Sequence, residues 1–96
     1  MSDLYRTVMT IAAQTCGVEP VKVLTRVHKH EFTTARYVGW YVLNTRMGWS
    51  HSRIQREAVL FHRVTVRNGI NRIAEMPHNS PVGELVERVL AEVSFM

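Results

Sequence analysis

Amide, arginine and methyl-bearing side chains share one side of a helix that the sequence predicts over residues 63–75. Val66, Ile70 and Ile73 recur at i, i+4 and i+7 and mark the side that faces the core. Asparagine can pair with adenine through two hydrogen bonds, arginine can do so with guanine, and a methyl group packs against thymine. The other positions therefore predict a face that reads DNA bases, and the alternative is an ordinary solvated surface. The face comprises Val64, Thr65, Arg67, Asn68, Asn71 and Arg72.

Other kinds of site lack the residues that their chemistry needs. The glycines are isolated, so no loop is predicted that could cradle a nucleotide phosphate. His28 and His30 form an H-x-H pair, but only His51, His62 and His78 are available to complete a zinc site. We therefore expect a non-catalytic protein without cofactor, nucleotide or metal. A zinc or hydrolytic enzyme built on the histidines is the weakest alternative.

Positive charge is concentrated in the middle of the chain. The net charge is +4, but residues 22–72 hold ten lysines and arginines against two glutamates, which is +8. The two ends together carry −4. This distribution attracts phosphate to one region, so it favours a nucleic-acid partner over an ordinary solvated surface.

Length and periodicity predict one small all-α domain. A chain of 96 residues with 46% hydrophobic content has room for a single modest core. Helical spacing runs through nearly the whole sequence, and no strand alternation competes with it. The single Cys16 excludes an internal disulfide, is expected to be a buried packing residue, and indicates a reduced, cytoplasmic setting. No segment approaches the ~20 apolar residues of a membrane helix, so no membrane partner is expected.

Start and stop signals divide the first half into three helices. The first spans about residues 3–16 and precedes Gly17, and Pro20 opens a short helix that continues through residue 24. Residues 25–32 form a polar, basic connection. A third helix is predicted from the candidate N-caps Thr33 and Thr34 to about residue 47, before Gly48. Its inward residues are Ala35, Val38 and Val42, whereas Arg36 and Arg46 are expected to point elsewhere.

The second half predicts a short helix, a tight turn and another helix. Ser50 can cap a helix with Ile54 and Ala58 on one face, residues 59–62 form the turn, and the helix over residues 63–75 follows. This is the order of a helix-turn-helix, which lays its second helix in the DNA major groove.

A final amphipathic helix is predicted from Pro81 to about residue 94. Its apolar stripe includes Val82, Leu85, Val86, Val89, Leu90 and Val93, and Glu84, Glu87 and Glu92 make the other face acidic. The stripe is expected to face the core, and a homodimer through this helix is the alternative.

The sequence also resembles the C-terminal DNA-binding domain of the bacterial replication initiator DnaA. The resemblance runs without gaps from about Ile11 to Ile73 and so covers the body of the chain. The residues that carry it are Gly17-Val18, the basic connection, Ala35-Arg36-Tyr37, Ser50 with Ile54, and Thr65-Val66.

This resemblance implies a Trp-repressor-like helix-turn-helix. It also implies that Arg36 and Ser50 anchor the DNA backbone. A minor-groove contact is implied for the segment that holds Arg26, His28, Lys29 and His30. Where the family signature reads Arg-Asp-His-Ser/Thr-Thr-Val, this chain has Phe61-His62-Arg63-Val64-Thr65-Val66. His62 and Arg63 therefore join the predicted DNA-binding residues, and we expect a site other than the family's standard initiator box.

We expect a cytoplasmic, nucleoid-associated protein that binds double-stranded DNA and assists or regulates replication or transcription. The family's ATPase module has no counterpart here, so the chain resembles an accessory, phage or mobile-element protein. The alternative is a module of the same fold that binds a protein of the replication or transcription machinery.

Overall fold

Six α-helices account for most of residues 1–94, the part of the chain that the computed structural model describes. None of these residues forms a β-strand, so the all-α prediction is confirmed. The helices are α1 (Asp3–Thr15), α2 (Pro20–Leu24), α3 (His30–Thr45), α4 (His51–Glu57), α5 (Arg63–Ala74) and α6 (Pro81–Val93).

The third helix, α3, is central, because each of the other five helices contacts it. Trp40 of α3 is fully buried, and its indole N–H donates a hydrogen bond of 3.1 Å to the hydroxyl of Tyr5 in α1. Because α3 is enclosed on several sides, it sets the positions of the helices around it. Its buried residues are Phe32, Ala35, Arg36, Val38, Gly39, Trp40, Val42 and Leu43.

Serine side chains fix the starts of three helices. The hydroxyl oxygen of Ser2 accepts a hydrogen bond from the third amide of α1, Ser50 does so for α4, and Ser80 does so for α6, at 3.0–3.2 Å. These caps satisfy amides that have no partner within the first helical turn. The capping role predicted for Ser50 is therefore confirmed.

The predicted bounds hold to within about a residue for every helix except α3. That helix begins at His30 rather than after Thr33 and Thr34, and it ends at Thr45 rather than near residue 47. Its N-cap, Lys29, makes no side-chain cap hydrogen bond, so the start carries no capping signal in the sequence. Burial of Phe32 in the first turn accounts for the earlier start. Gly17 and Gly48, which were predicted to follow the ends of the first and third helices, both adopt the left-handed conformation, with φ of 73° and 70°.

The apolar stripe of α6 packs within the chain. Val86, Val89 and Val93 are buried, and α6 contacts α1 and α3, so the prediction that the stripe faces the core is confirmed. This packing accounts for the stripe, and the homodimer stays a prediction that no finding tests. Cys16, which was expected to be buried, is only half-buried, but it packs against the same core.

None of the six described helices is long and apolar enough to cross a lipid bilayer.

Candidate nucleic-acid interface

Helices α4 and α5 are joined by a tight turn over residues 58–62. The amide of Ala58 donates to the carbonyl of Ile54 at 2.8 Å, and the amide of Phe61 donates to the carbonyl of Ala58 at 2.9 Å. The Gln55 side chain donates to the Phe61 carbonyl at 3.3 Å. These bonds hold the turn, and Ile54 and Ala58 are buried beneath it as predicted.

The inner face of α5 is seated on α3. Val66, Ile70 and Ile73 are buried, which confirms the predicted stripe. Gly69 lies so close to Tyr37 of α3 that a Cβ atom there would come within 2.5 Å of the aromatic ring. The close approach leaves the opposite face of α5 directed toward solvent.

The outer face of α5 carries the side chains predicted to read DNA. Val64 is 53% exposed, and Thr65 is half-buried. The exposed polar residues are Arg67, Asn68, Asn71 and Arg72. No residue of α5 is acidic. The structure therefore brings all six predicted residues onto one helix surface, with Thr65 at its edge.

An open cleft separates the start of α4 from the start of α5. Arg63 is exposed at the first position of α5, and its Nη1 lies 3.4 Å from the hydroxyl oxygen of Ser52 in α4. His62 is the exposed N-cap of α5 and makes no side-chain cap hydrogen bond. Hydroxyl and cationic groups thus meet at this cleft. It is lined by Ser50, His51, Ser52, Arg63, Val64 and Arg67.

One arginine of α4 extends this basic surface beyond the predicted site residues. Arg56 is exposed near the end of the helix and lines a cleft with His62 and Arg63. Arg53 is also exposed, but its guanidinium carbon lies 4.0 Å from the centroid of the Trp49 ring, in a cleft that excludes α5. Both belong to the basic middle of the chain, but neither was a predicted site residue. The position of Arg56 just before the predicted turn is the signal that could have found it.

Arg36 is not a DNA-backbone anchor, and that prediction is wrong. Its side chain is only 1% exposed, and its guanidinium donates hydrogen bonds to four backbone carbonyls at 2.7–3.1 Å. The guanidinium also lies over the Phe61 ring, 4.7 Å from its centroid. Burial lowers the pKa of Arg36 from its usual value, although arginine stays charged in proteins. Because α3 is buried on several sides, residue 36 faces the interior rather than DNA.

The other predicted basic residues are exposed where α2 gives way to α3. Arg26, His28 and Lys29 lie in the connection, and His30 is the first residue of α3 rather than part of the loop. The carbonyls that Arg36 contacts belong to this region, whereas its aromatic partner Phe61 belongs to the α4–α5 turn. The basic connection and the turn therefore meet at one guanidinium.

The described cations of this surface form no ion pair within 4.0 Å, although Glu75 lines the same cleft as Arg72. Within residues 1–94, His78 and Glu87 form the only ion pair within 4.0 Å, and both are exposed on another part of the chain. With buried Arg36 set aside, residues 22–72 still place nine lysines and arginines against two glutamates. The surface is thus able to bind an anion without first breaking an internal ion pair.

Comparison of the chain with models of protein families, with curated proteins and with solved structures finds no match.

Within the described residues, no three histidine, cysteine or acidic side chains lie close enough together to hold a metal ion. The structure brings the outer face of α5 and the cleft beside it onto one surface, and it links the basic connection to the α4–α5 turn through Arg36.

Proposed function

We propose that the protein binds double-stranded DNA and catalyses no reaction. Residues 51–74 act as a helix-turn-helix, in a fold like that of the DnaA C-terminal domain, and the outer face of α5 enters the major groove. The observation that carries this proposal is the exposed face of α5, where asparagines lie beside arginines that form no ion pair within 4.0 Å among the described residues.

The side chains of this face divide into those that read bases and those that bind phosphate. Arg63, Asn68 and Asn71 have the donor and acceptor groups that pair with base edges, and Val64 can pack against a thymine methyl. Arg67 and Arg72 lie at the edges of the face, where phosphate contacts fix the position of a protein on the duplex. The basic connection adds a second contact, in the minor groove.

The DNA sequence recognised differs from the standard initiator box. Two positions of the family signature that carry an acid and a histidine are occupied by His62 and Arg63, and a hydroxyl residue is replaced by Val64. A helix with these substitutions presents a different set of donors and acceptors to the groove. We therefore propose an accessory or regulatory protein of replication or transcription, rather than an initiator.

A salt titration tests DNA binding directly. Fluorescence anisotropy of a labelled duplex measures the dissociation constant as salt rises from low to physiological concentration. For ~5 phosphate contacts, the logarithm of affinity should fall against the logarithm of salt concentration with a slope of about −4 to −5. No binding at low salt, or affinity independent of salt, refutes the proposal.

Selection from random duplexes then tests base reading. The selected duplex, the initiator box and a scrambled duplex are compared at one salt concentration with the wild type and with Arg63→Ala. We expect the wild type to prefer the selected duplex, and the variant to lose ~1–3 kcal/mol of discrimination at one base pair. Equal binding of the wild type to all three duplexes would exclude sequence reading by α5.

Protein binding is the second candidate, and two exposed residues of the turn favour it. Val59 is 71% exposed and Leu60 is 47% exposed, next to the face of α5. Adjacent exposed apolar side chains can mark a site of protein interaction. The anisotropy experiment separates the candidates, because a protein-binding module would lack salt-dependent affinity for duplex DNA.

A further inference from the structure

We propose that Arg36 is a positioning residue that holds the basic loop, residues 25–29, in the shape in which it contacts DNA. This inference rests on the proposed DNA binding and adds a role for a buried residue that touches no DNA itself. The Arg36 guanidinium has two sets of partners, backbone carbonyls and an aromatic ring, and the inference follows from both.

The first partners are backbone carbonyls at the end of α2 and in the basic loop. The Nε of Arg36 donates to the carbonyl of Val23 at 2.9 Å. The two N–H groups of Nη2 are shared among three carbonyls, those of Lys22 at 3.0 Å, Thr25 at 2.7 Å and Val27 at 3.1 Å. The last carbonyls of a helix have no partner within it, so the guanidinium also closes the end of α2.

This bonding turns the loop backbone inward and its charged side chains outward. Thr25 and Val27 direct their carbonyls to Arg36, whereas Arg26, His28 and Lys29 are exposed. The only other side-chain hydrogen bond from the loop in the described residues runs from the Thr25 hydroxyl back to Val21. Among side chains, Arg36 is therefore the main polar link between the basic loop and the helices.

The second partner is the aromatic ring of the α4–α5 turn. The guanidinium lies over Phe61, and the Phe61 ring packs edge-on against Trp40 with centroids 5.3 Å apart. One side chain of α3 thus joins the basic loop to the turn that orients α5. A loop ordered before binding loses less conformational entropy when it meets DNA, so affinity depends on this link.

Lysine cannot replace arginine in this role. An ammonium group keeps the positive charge but lacks both the Nε–H that bonds Val23 and the planar face that lies over Phe61. The Arg36→Lys variant therefore separates a positioning role from a direct contact with phosphate. A phosphate contact would survive in the lysine variant to a large extent, whereas the positioning role would not.

A double-mutant cycle measured by anisotropy tests the proposal, after far-UV circular dichroism has shown that each variant is folded. We expect Arg36→Lys to lower DNA affinity about tenfold, the scale of reordering several side chains and a loop. Lys29→Ala should lower the DNA affinity of the wild type. In the Arg36→Lys background the same substitution should change the affinity less than about twofold, which is within measurement error. The matched control, Arg67→Ala, should cause the same loss in both backgrounds.

The outcomes separate the two proposals. Wild-type affinity in Arg36→Lys, or equal losses from Lys29→Ala in both backgrounds, would overturn the positioning role and leave DNA binding intact. If the wild type binds no duplex, the proposed function fails and the positioning role fails with it.

A measurement on the wild type alone covers the case in which the Arg36 variants do not fold. By nuclear magnetic resonance, the Nε–H of Arg36 should exchange slowly with solvent and keep its chemical shift when DNA is added. Amides of residues 25–29 should be as rigid as those of α3 in the free protein. Fast exchange like that of Arg67, or a mobile loop before DNA is added, would contradict the proposal.

Discussion

Helices α5 and α6 have similar buried faces but outer faces of different charge. Each buries three branched aliphatic residues at helical spacing, Val66, Ile70 and Ile73 in one and Val86, Val89 and Val93 in the other. The outer face of α5 carries arginine and asparagine without any acid, whereas α6 exposes three glutamates and Arg88. Since the inner faces meet the needs of the fold in both cases, the outer face of α5 is where function is to be sought.

The two helices also begin differently. Ser80 caps α6, and Pro81 occupies its first turn, so its start follows the usual preferences. The start of α5 has His62 at the N-cap without a side-chain hydrogen bond. Departures from local preference tend to occur where a residue serves a purpose other than stability. This contrast therefore agrees with a binding role for the start of α5.

The largest expected effect is on stability, which should depend to a similar extent on the inner faces of α5 and α6. Ile70→Ala in α5 and Val89→Ala in α6 should each lower the free energy of unfolding by roughly 2–4 kcal/mol, because each leaves a cavity in the core. Urea denaturation measures the change. The surface controls Asn71→Ala and Glu92→Ala should stay within about 0.5 kcal/mol of the wild type. A loss below that level for either core variant would show that its helix contributes little to the fold.

Neutralising one arginine on each outer face sharpens the difference between them. Arg67→Gln should weaken duplex binding about tenfold and make the salt slope shallower by about one, because one phosphate contact is lost. Arg88→Gln removes the same charge from α6 and should change neither quantity beyond error. Anisotropy at several salt concentrations measures both variants. Equal losses would mean that net charge alone, and not the face of α5, drives binding.

The two helix starts should respond in opposite directions to substitution at the N-cap. Ser80→Ala should destabilise the protein by ~1 kcal/mol, since it removes the cap of α6. His62→Ser supplies a missing cap to α5 and should stabilise the protein by up to ~1 kcal/mol. Thermal unfolding gives both values. A stability loss in His62→Ser would indicate that the imidazole makes a contribution that the capping geometry does not reveal.

Most of the helical framework could be predicted from sequence because it rests on local signals. Ser50 as a cap, Pro20 and Pro81 in first turns, and a regular apolar stripe fixed the expected bounds of α2, α4, α5 and α6. The start of α3 could not be predicted in this way. It depends on the burial of Phe32 among neighbouring helices, which is a tertiary effect.

In the candidate site, too, local signals could be predicted from the sequence and tertiary effects could not. The exposed residues of α5 follow from periodicity alone, because a residue opposite a buried stripe faces solvent. The burial of Arg36 could not be predicted in this way, because a charged residue is expected at the surface. Its spacing to Trp40 and Leu43, four and seven residues later, places it on a second buried face of α3, and this pattern was the available signal.

The carbonyl cradle of Arg36 has a consequence for behaviour in acid. Within residues 1–94 this is the one buried charged side chain, and its acceptors are backbone amides rather than a carboxylate. A carboxylate partner would take up a proton near pH 4 and release the guanidinium. Amide carbonyls do not titrate there, so acidification leaves the join between the basic loop and the helix bundle in place.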